Sequence, residues 1–73
     1  MKIYNVIWKH DGIFTTAKPF LNIDAAIKWS IKIANQYCDK SGVVEIGPYD
    51  FLFYIQYSVN GNCLYITEHE IEE

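Results

Sequence analysis

Arginine is absent from this 73-residue chain, and all six basic residues are lysines. Nine carboxylates bring the formal net charge to −3. Affinity for nucleic acid rests largely on neutralising phosphates, so this charge balance argues against DNA or RNA as the partner. Cysteine is scarce too. Cys38 and Cys63 are too few for a disulfide framework and read as reduced thiols that behave as small hydrophobes. No run approaches the roughly 18 consecutive apolar residues of a membrane-spanning helix. The N-terminal segment is interrupted by Asn5, Lys9, His10 and Asp11 and lacks the apolar stretch of a signal peptide. A cytoplasmic location with no membrane contact is the expectation.

Catalytic chemistry is equally sparse. The two histidines, His10 and His69, have no Ser or Cys at a meaningful local spacing, and each reads as a solvated surface residue. Glu68-His69-Glu70 lacks the i, i+4 pairing of a helical zinc site and the Cys/His count of a structural one. The four glycines, Gly12, Gly42, Gly47 and Gly61, fall at turns or a helix end rather than in a phosphate loop. No catalytic residue, metal or cofactor is expected, and the chain reads as a non-enzyme.

What is present is apolar and aromatic. Hydrophobic residues make up 51% of the chain and aromatic residues 16%. That is too much for disorder. A chain this short hides only about 60% of its unfolded surface, so some of that apolar area is expected to remain outside the core. Charge is segregated. Residues 1–42 carry all six lysines and three aspartates, whereas residues 43–73 carry six carboxylates and no base. Such a dipolar chain can orient an approaching partner.

Alternation of Tyr4, Val6 and Trp8 with Ile3, Asn5 and Ile7 predicts a strand over residues 2–9. Asp11-Gly12 predicts a two-residue type I′ hairpin turn. The return strand covers 13–18 and stops at Pro19, which lacks a ladder donor. Asn22 is a good N-cap and Asp24 suits the first turn, so a helix is expected from about Ile23 to Asp39, with Gly42 as its stop. Its apolar positions fall in two stripes, Ile23, Ile27, Ile31, Ala34 and Cys38 beside Ala26, Trp29, Ile33 and Tyr37. The core is expected to join Ile27, Ile31 and Ala34 to Ile55, Tyr57, Leu64 and Ile66. Val43–Ile46 is a short strand, Gly47-Pro48-Tyr49-Asp50 a turn, and Phe51–Val59 the longest strand. Asn60-Gly61 predicts a second two-residue turn, which pairs Tyr57 with Leu64, Ile55 with Ile66 and Phe53 with Glu68. Residues 68–73 are expected to extend the strand or fray into solvent. The fold class is therefore α+β: one mainly antiparallel sheet in the order ββαβββ, with one helix on it, as a single domain over 1–73.

One helix covers one face of a sheet. Leu52, Tyr54, Gln56, Ser58, Cys63, Tyr65 and Thr67 are left to the other. An ordinary solvated face and an interface both fit this list. Leu52, together with Ile3, Ile7 and Phe14 of the first hairpin, favours the interface. The acidic half is either a solubilising tail or a negative surface offered to a basic groove. The candidate partner-binding residues are Tyr54, Gln56 and Tyr65 as contacts, with Glu68, Glu70 and Glu72 steering a basic partner.

In size, one-helix antiparallel sheet, mild acidity, abundance of tyrosine and lack of catalytic chemistry, the chain resembles the small phage-encoded inhibitors of host defence, anti-CRISPR proteins among them. The likeness involves no shared motif and assigns no residue a role. It implies stoichiometric occupation of a host protein or protein complex. The alternative from a different class is a small nucleic-acid-binding regulator, marked by salt-dependent retention on DNA or RNA. Self-association as a homodimer, through the uncovered face or a strand edge, is also expected.

Overall fold

The computed structural model describes residues 1–38, 45–47 and 52–72. Five strands form one antiparallel sheet: β1 (Lys2–His10), β2 (Ile13–Phe20), β3 (Glu45–Gly47), β4 (Phe53–Gln56) and β5 (Cys63–Glu70). One helix, α1 (Ile23–Tyr37), follows β2. The strands lie in the order β2-β1-β5-β4-β3, so the α+β arrangement ββαβββ stands. The expected turn at Gly47–Asp50 and stop at Gly42 fall largely or wholly outside the described residues.

The first hairpin follows its turn chemistry. Asp11 (φ 51) and Gly12 (φ 80) both take the positive φ that a type I′ turn requires, and His10 pairs with Ile13. Pro19 does not end β2. The strand continues through it to Phe20, opposite Asn5 and Tyr4. Two features permit this. β2 lies at the sheet edge, where proline is tolerated. A register shift between Val6 and Ile7 also leaves Ala17 as an extra residue, a bulge.

The second hairpin differs from the two-residue turn. β4 pairs Ile55 with Leu64, Tyr54 with Tyr65 and Phe53 with Ile66, two residues from the expected register. The Tyr57 amide donates to the Asn62 carbonyl (3.0 Å) and the Gly61 amide to the Ser58 carbonyl (3.0 Å). The loop is thus a four-residue turn with Val59 and Asn60 at its centre. Gly61, at φ 91, occupies the last position, where glycine is favoured. The Ser58 hydroxyl accepts from the Asn60 amide (3.2 Å), which holds the wider loop. A slip of two leaves every side chain on its expected face. β4 is also short, ending at Gln56 rather than Val59.

The Asn22 side chain caps α1, accepting from the Asp24 (2.8 Å) and Ala25 (3.3 Å) amides. Cys38, in extended conformation, is the C-cap, so the helix ends at Tyr37, two residues short of the expected Asp39. Its buried stripe is Ala26, Ser30 and Ala34, all fully buried, against Val6, Ile55, Tyr57, Leu64 and Ile66 of the sheet side. Ile31 is not in this core; it is 37% exposed. Small residues at i, i+4 and i+8 let the helix backbone approach the sheet, whose larger side chains fill the gap. Ile31 lies about 100° around from Ser30 and points past that contact. Ser30 donates to the Ala26 carbonyl (2.8 Å), which satisfies the one hydroxyl in the stripe. Trp29, on the other flank, reaches Phe20 (ring centroids 6.0 Å apart).

From Glu68 onward the chain extends β5 as far as Glu70 rather than fraying there. β5 runs between β1 and β4, pairing Glu68 with Tyr4 and Glu70 with Lys2. No helix among the described residues is long and apolar enough to cross a membrane.

Candidate protein-binding face

The alternation of an antiparallel sheet sorts the side chains into two sets. On the helix side, Thr15, Trp8, Leu64, Ile55 and Ile46 form one row across all five strands. On the far side the adjacent row is Thr16, Ile7, Tyr65, Tyr54 and Gly47. Ile7, Tyr65 and Tyr54 therefore lie side by side on β1, β5 and β4, each half-buried. Phe14 (61% exposed) and Leu52 (43% exposed) extend this apolar surface to its edges.

Gln56 braces it. Its Oε1 accepts from the Tyr54 hydroxyl (3.0 Å), and its Nε2 donates to the Ser58 carbonyl (2.8 Å). These bonds fix the Tyr54 ring before any partner arrives. Cys63 sits beside Gln56 in the next row. Burial pushes its thiol up, while a hydrogen bond with Tyr54 and the charge of Lys9 pull it down. Cys63 is 5% exposed, whereas Cys38 is half-buried, and both are free. Iodoacetamide at mildly alkaline pH should therefore modify Cys38 well before Cys63, because the thiolate is the reactive form. Peptide mass spectrometry at successive times reads the order. Equal rates would mean that the face around Cys63 opens readily.

The six predicted partner-binding residues do not form one site. Tyr54, Gln56 and Tyr65 come together on the uncovered face. Glu68 and Glu70, in step with Leu64 and Ile66 along β5, fall on the helix side. Glu68 lies 3.7 Å from Lys2 Nζ in an exposed ion pair, the kind that contributes about 0–1 kcal/mol. Glu72 lies beyond β5, in the exposed stretch where the Ile71 amide donates to the Met1 carbonyl (2.7 Å). Strand alternation also turns His69 away from Glu68 and Glu70; its Nε2 is 3.1 Å from Thr67 Oγ1. Among the described residues, no group of three or more His, Cys, Asp or Glu converges.

A polar network beside the core was not visible in the sequence. Trp8 Nε1 donates to the Tyr57 hydroxyl (2.6 Å), and His10 Nδ1 lies 2.7 Å from the same oxygen. Tyr57 has one hydroxyl hydrogen, and indole is only a donor. The Tyr57 O–H can donate to His10 Nδ1 when the ring hydrogen lies on Nε2, 3.6 Å from Asp11 Oδ2. His10 is thus an exposed surface histidine, as expected, that also bonds to the buried Tyr57. Burial pushes the Tyr57 phenol above its ordinary range, with the Trp8 hydrogen bond acting in the opposite direction. Trp8, His10, Ile13, Thr15 and Tyr37 line an open cleft of ≈ 310 Å³ next to this network. The clue available in the sequence was the spacing of two between Trp8 and His10, which sets both on the helix side.

The chain matches no protein-family model, curated protein or solved structure.

Proposed function

We propose that this protein is a non-enzymatic binding module that inhibits a host protein or protein complex by occupying its surface, through the sheet face opposite α1. The row Ile7–Tyr65–Tyr54 carries this reading. It places two tyrosines and an isoleucine side by side on ordered central strands, on the face opposite α1. Tyrosine offers large contact area at low rotamer cost, and the Gln56 brace lowers that cost further for Tyr54. Lys9 is the single lysine among the described strand positions on this face, so a phosphate backbone would find little to neutralise it. Glu68, Glu70 and Glu72 act from outside the contact. They lie at one end of β5 and steer a basic partner without being covered by it. A phage anti-defence role is the biological form of this reading.

The test is a comparative pull-down from host lysate using wild type, Tyr65→Lys and the helix control Lys28→Ala. A protein retained by wild type and by the control, and lost by Tyr65→Lys, is the expected result. A protein that is lost only by the helix variant would move the contact to α1 and overturn the assignment. With a partner in hand, Tyr65→Ala should speed dissociation by the equivalent of roughly 1–4 kcal/mol. Neutralising the three glutamates should instead slow association and flatten its salt dependence.

A further inference from the structure

We propose that the free edge of β2 is a self-pairing strand, and that two copies of this chain join edge to edge in a two-fold antiparallel dimer with a continuous ten-stranded sheet. β2 is an end strand of the sheet. Its first four residues, Ile13–Thr16, are all exposed, Ile13 at 69% and Phe14 at 61%, and Ala17 is half-buried. None of the five is charged. An edge strand normally carries a guard against pairing, such as a lysine, a proline or a bulge. This strand has all three, yet they are confined to its second half: the bulge at Ala17, then Lys18 and Pro19. The Ile13–Thr16 half is left open to pairing.

The alternation of ladder bonds determines which groups are offered. A two-residue turn makes His10–Ile13 a hydrogen-bonded pair. The backbone groups of Ile13 and Thr15 are then directed towards β1. The N–H and C=O of Phe14 and Thr16 are directed to the free edge. Pairing centred on Thr15 sets Phe14 opposite Thr16 of the second copy, twice over by symmetry. The faces match, because both residues lie on the side opposite α1.

Charge complementarity points to a second copy rather than to an unrelated strand. The same register carries Lys18 to the partner's Asp11-Gly12 turn. Lys18 is exposed and the Asp11 side chain is 74% exposed. Two symmetry-related ion pairs follow, and the residue that guards the edge becomes one that selects its own sequence. The turn is also ordered in advance. The Asp11 amide donates to Asn62 Oδ1 (2.8 Å), tying the hairpin tip to the β4–β5 loop. Joining two sheets in this way would place two Ile7–Tyr65–Tyr54 rows on one continuous face, a bivalent surface.

Sedimentation velocity from about ten to several hundred micromolar, combined with amide hydrogen exchange, tests this. Wild type should form a dimer in which the Phe14 and Thr16 amides exchange slowly when concentrated and freely when dilute. The double variant Phe14→Lys, Thr16→Lys should stay monomeric, with a circular dichroism spectrum and melting curve like those of dilute wild type. Lys18→Glu should weaken the dimer by about threefold per lost pair. A wild type that stays monomeric over the whole range overturns the proposal. So does a dimer that survives the double lysine variant but is lost on Tyr65→Lys, which would place the contact on the sheet face.

Discussion

Leu64→Ala should destabilise the protein by about 2–5 kcal/mol, whereas Ile31→Ala should change stability by less than about 1 kcal/mol. Leu64 is fully buried at the middle of the helix-side row, between Trp8 on β1 and Ile55 on β4. Truncating it removes apolar burial and leaves a cavity that the two paired neighbours cannot collapse into. A domain of this length has about 4–11 kcal/mol in total at about 0.05–0.15 kcal/mol per residue, so the loss is a large share. Ile31 is 37% exposed on the flank of α1. Its truncation gives up part of a contact at the edge of the core, and alanine's higher helix propensity returns a few tenths of a kcal/mol, about 0.4. Urea unfolding of the two variants, followed by circular dichroism, reads both values. A large loss from Ile31→Ala with little from Leu64→Ala would mean that α1 is rotated about its axis relative to this packing.

The rotation of α1 about its axis is where the structure departs from the sequence pattern. The periodicity of α1 was legible, as were its Asn22 cap and the presence of an apolar face. The centre of the face was not, because apolar weight in the sequence is dominated by large aliphatics. Ile23, Ile27 and Ile31 drew the stripe towards one flank. Close packing of a helix on a sheet selects small residues instead, and the spacing Ala26, Ser30, Ala34 was the available signal. Asn60-Gly61 misled in a related way. The dipeptide does sit at a hairpin loop, but Gly61 serves as the last residue of a four-residue turn and not as half of a two-residue one. The error was an even number of residues, so the two faces survived it.

The division of the candidate site has the same origin. Glu68 and Glu70, two residues apart, share a side of β5 with each other, and the sequence groups them with the tyrosines only by role, steering beside contact. Once β5 continues unbroken to Glu70, strand parity sends even positions to the helix side and odd positions to the uncovered one. Tyr65 and Glu68, an odd number of residues apart, cannot then face the same way. The acidic end of β5 was legible as a feature of the chain, but its direction depended on whether the strand frayed. Pairing with β1 settles that direction, and sequence alternation within β5 contains no trace of a strand sixty residues earlier.

Tyr57→Phe should cost about 1–3 kcal/mol although it removes a single oxygen atom. The Tyr57 side chain is fully buried in the core, and phenylalanine keeps nearly all of its packing. What is lost is the hydroxyl that accepts from Trp8 Nε1 (2.6 Å) and is hydrogen-bonded with His10 Nδ1 (2.7 Å). One substitution therefore strips the partner from a part-buried indole N–H and from an imidazole nitrogen together. Unsatisfied groups are more costly than the net value of the bonds they made. His10, 45% exposed at its side chain, can recover a bond from water, so most of the cost falls on Trp8. The expected fall in melting temperature is roughly 4–8 °C for each kcal/mol in a domain of this size. Trp8 fluorescence should report the change directly in the folded state, as the indole loses its acceptor. The wild-type phenol has a further consequence at alkaline pH. Its folded pKa is raised by burial, so its stabilising contribution is complete below the ordinary tyrosine range. The contribution is lost as pH rises from there through the folded value, because the unfolded chain ionises first. Tyr57→Phe removes this term. The stability gap between wild type and variant, measured by urea unfolding, should therefore narrow as pH is raised through that interval. A gap that widens there would show that Tyr57 ionises more readily in the folded protein than in the unfolded chain, and would reverse the role assigned to its burial.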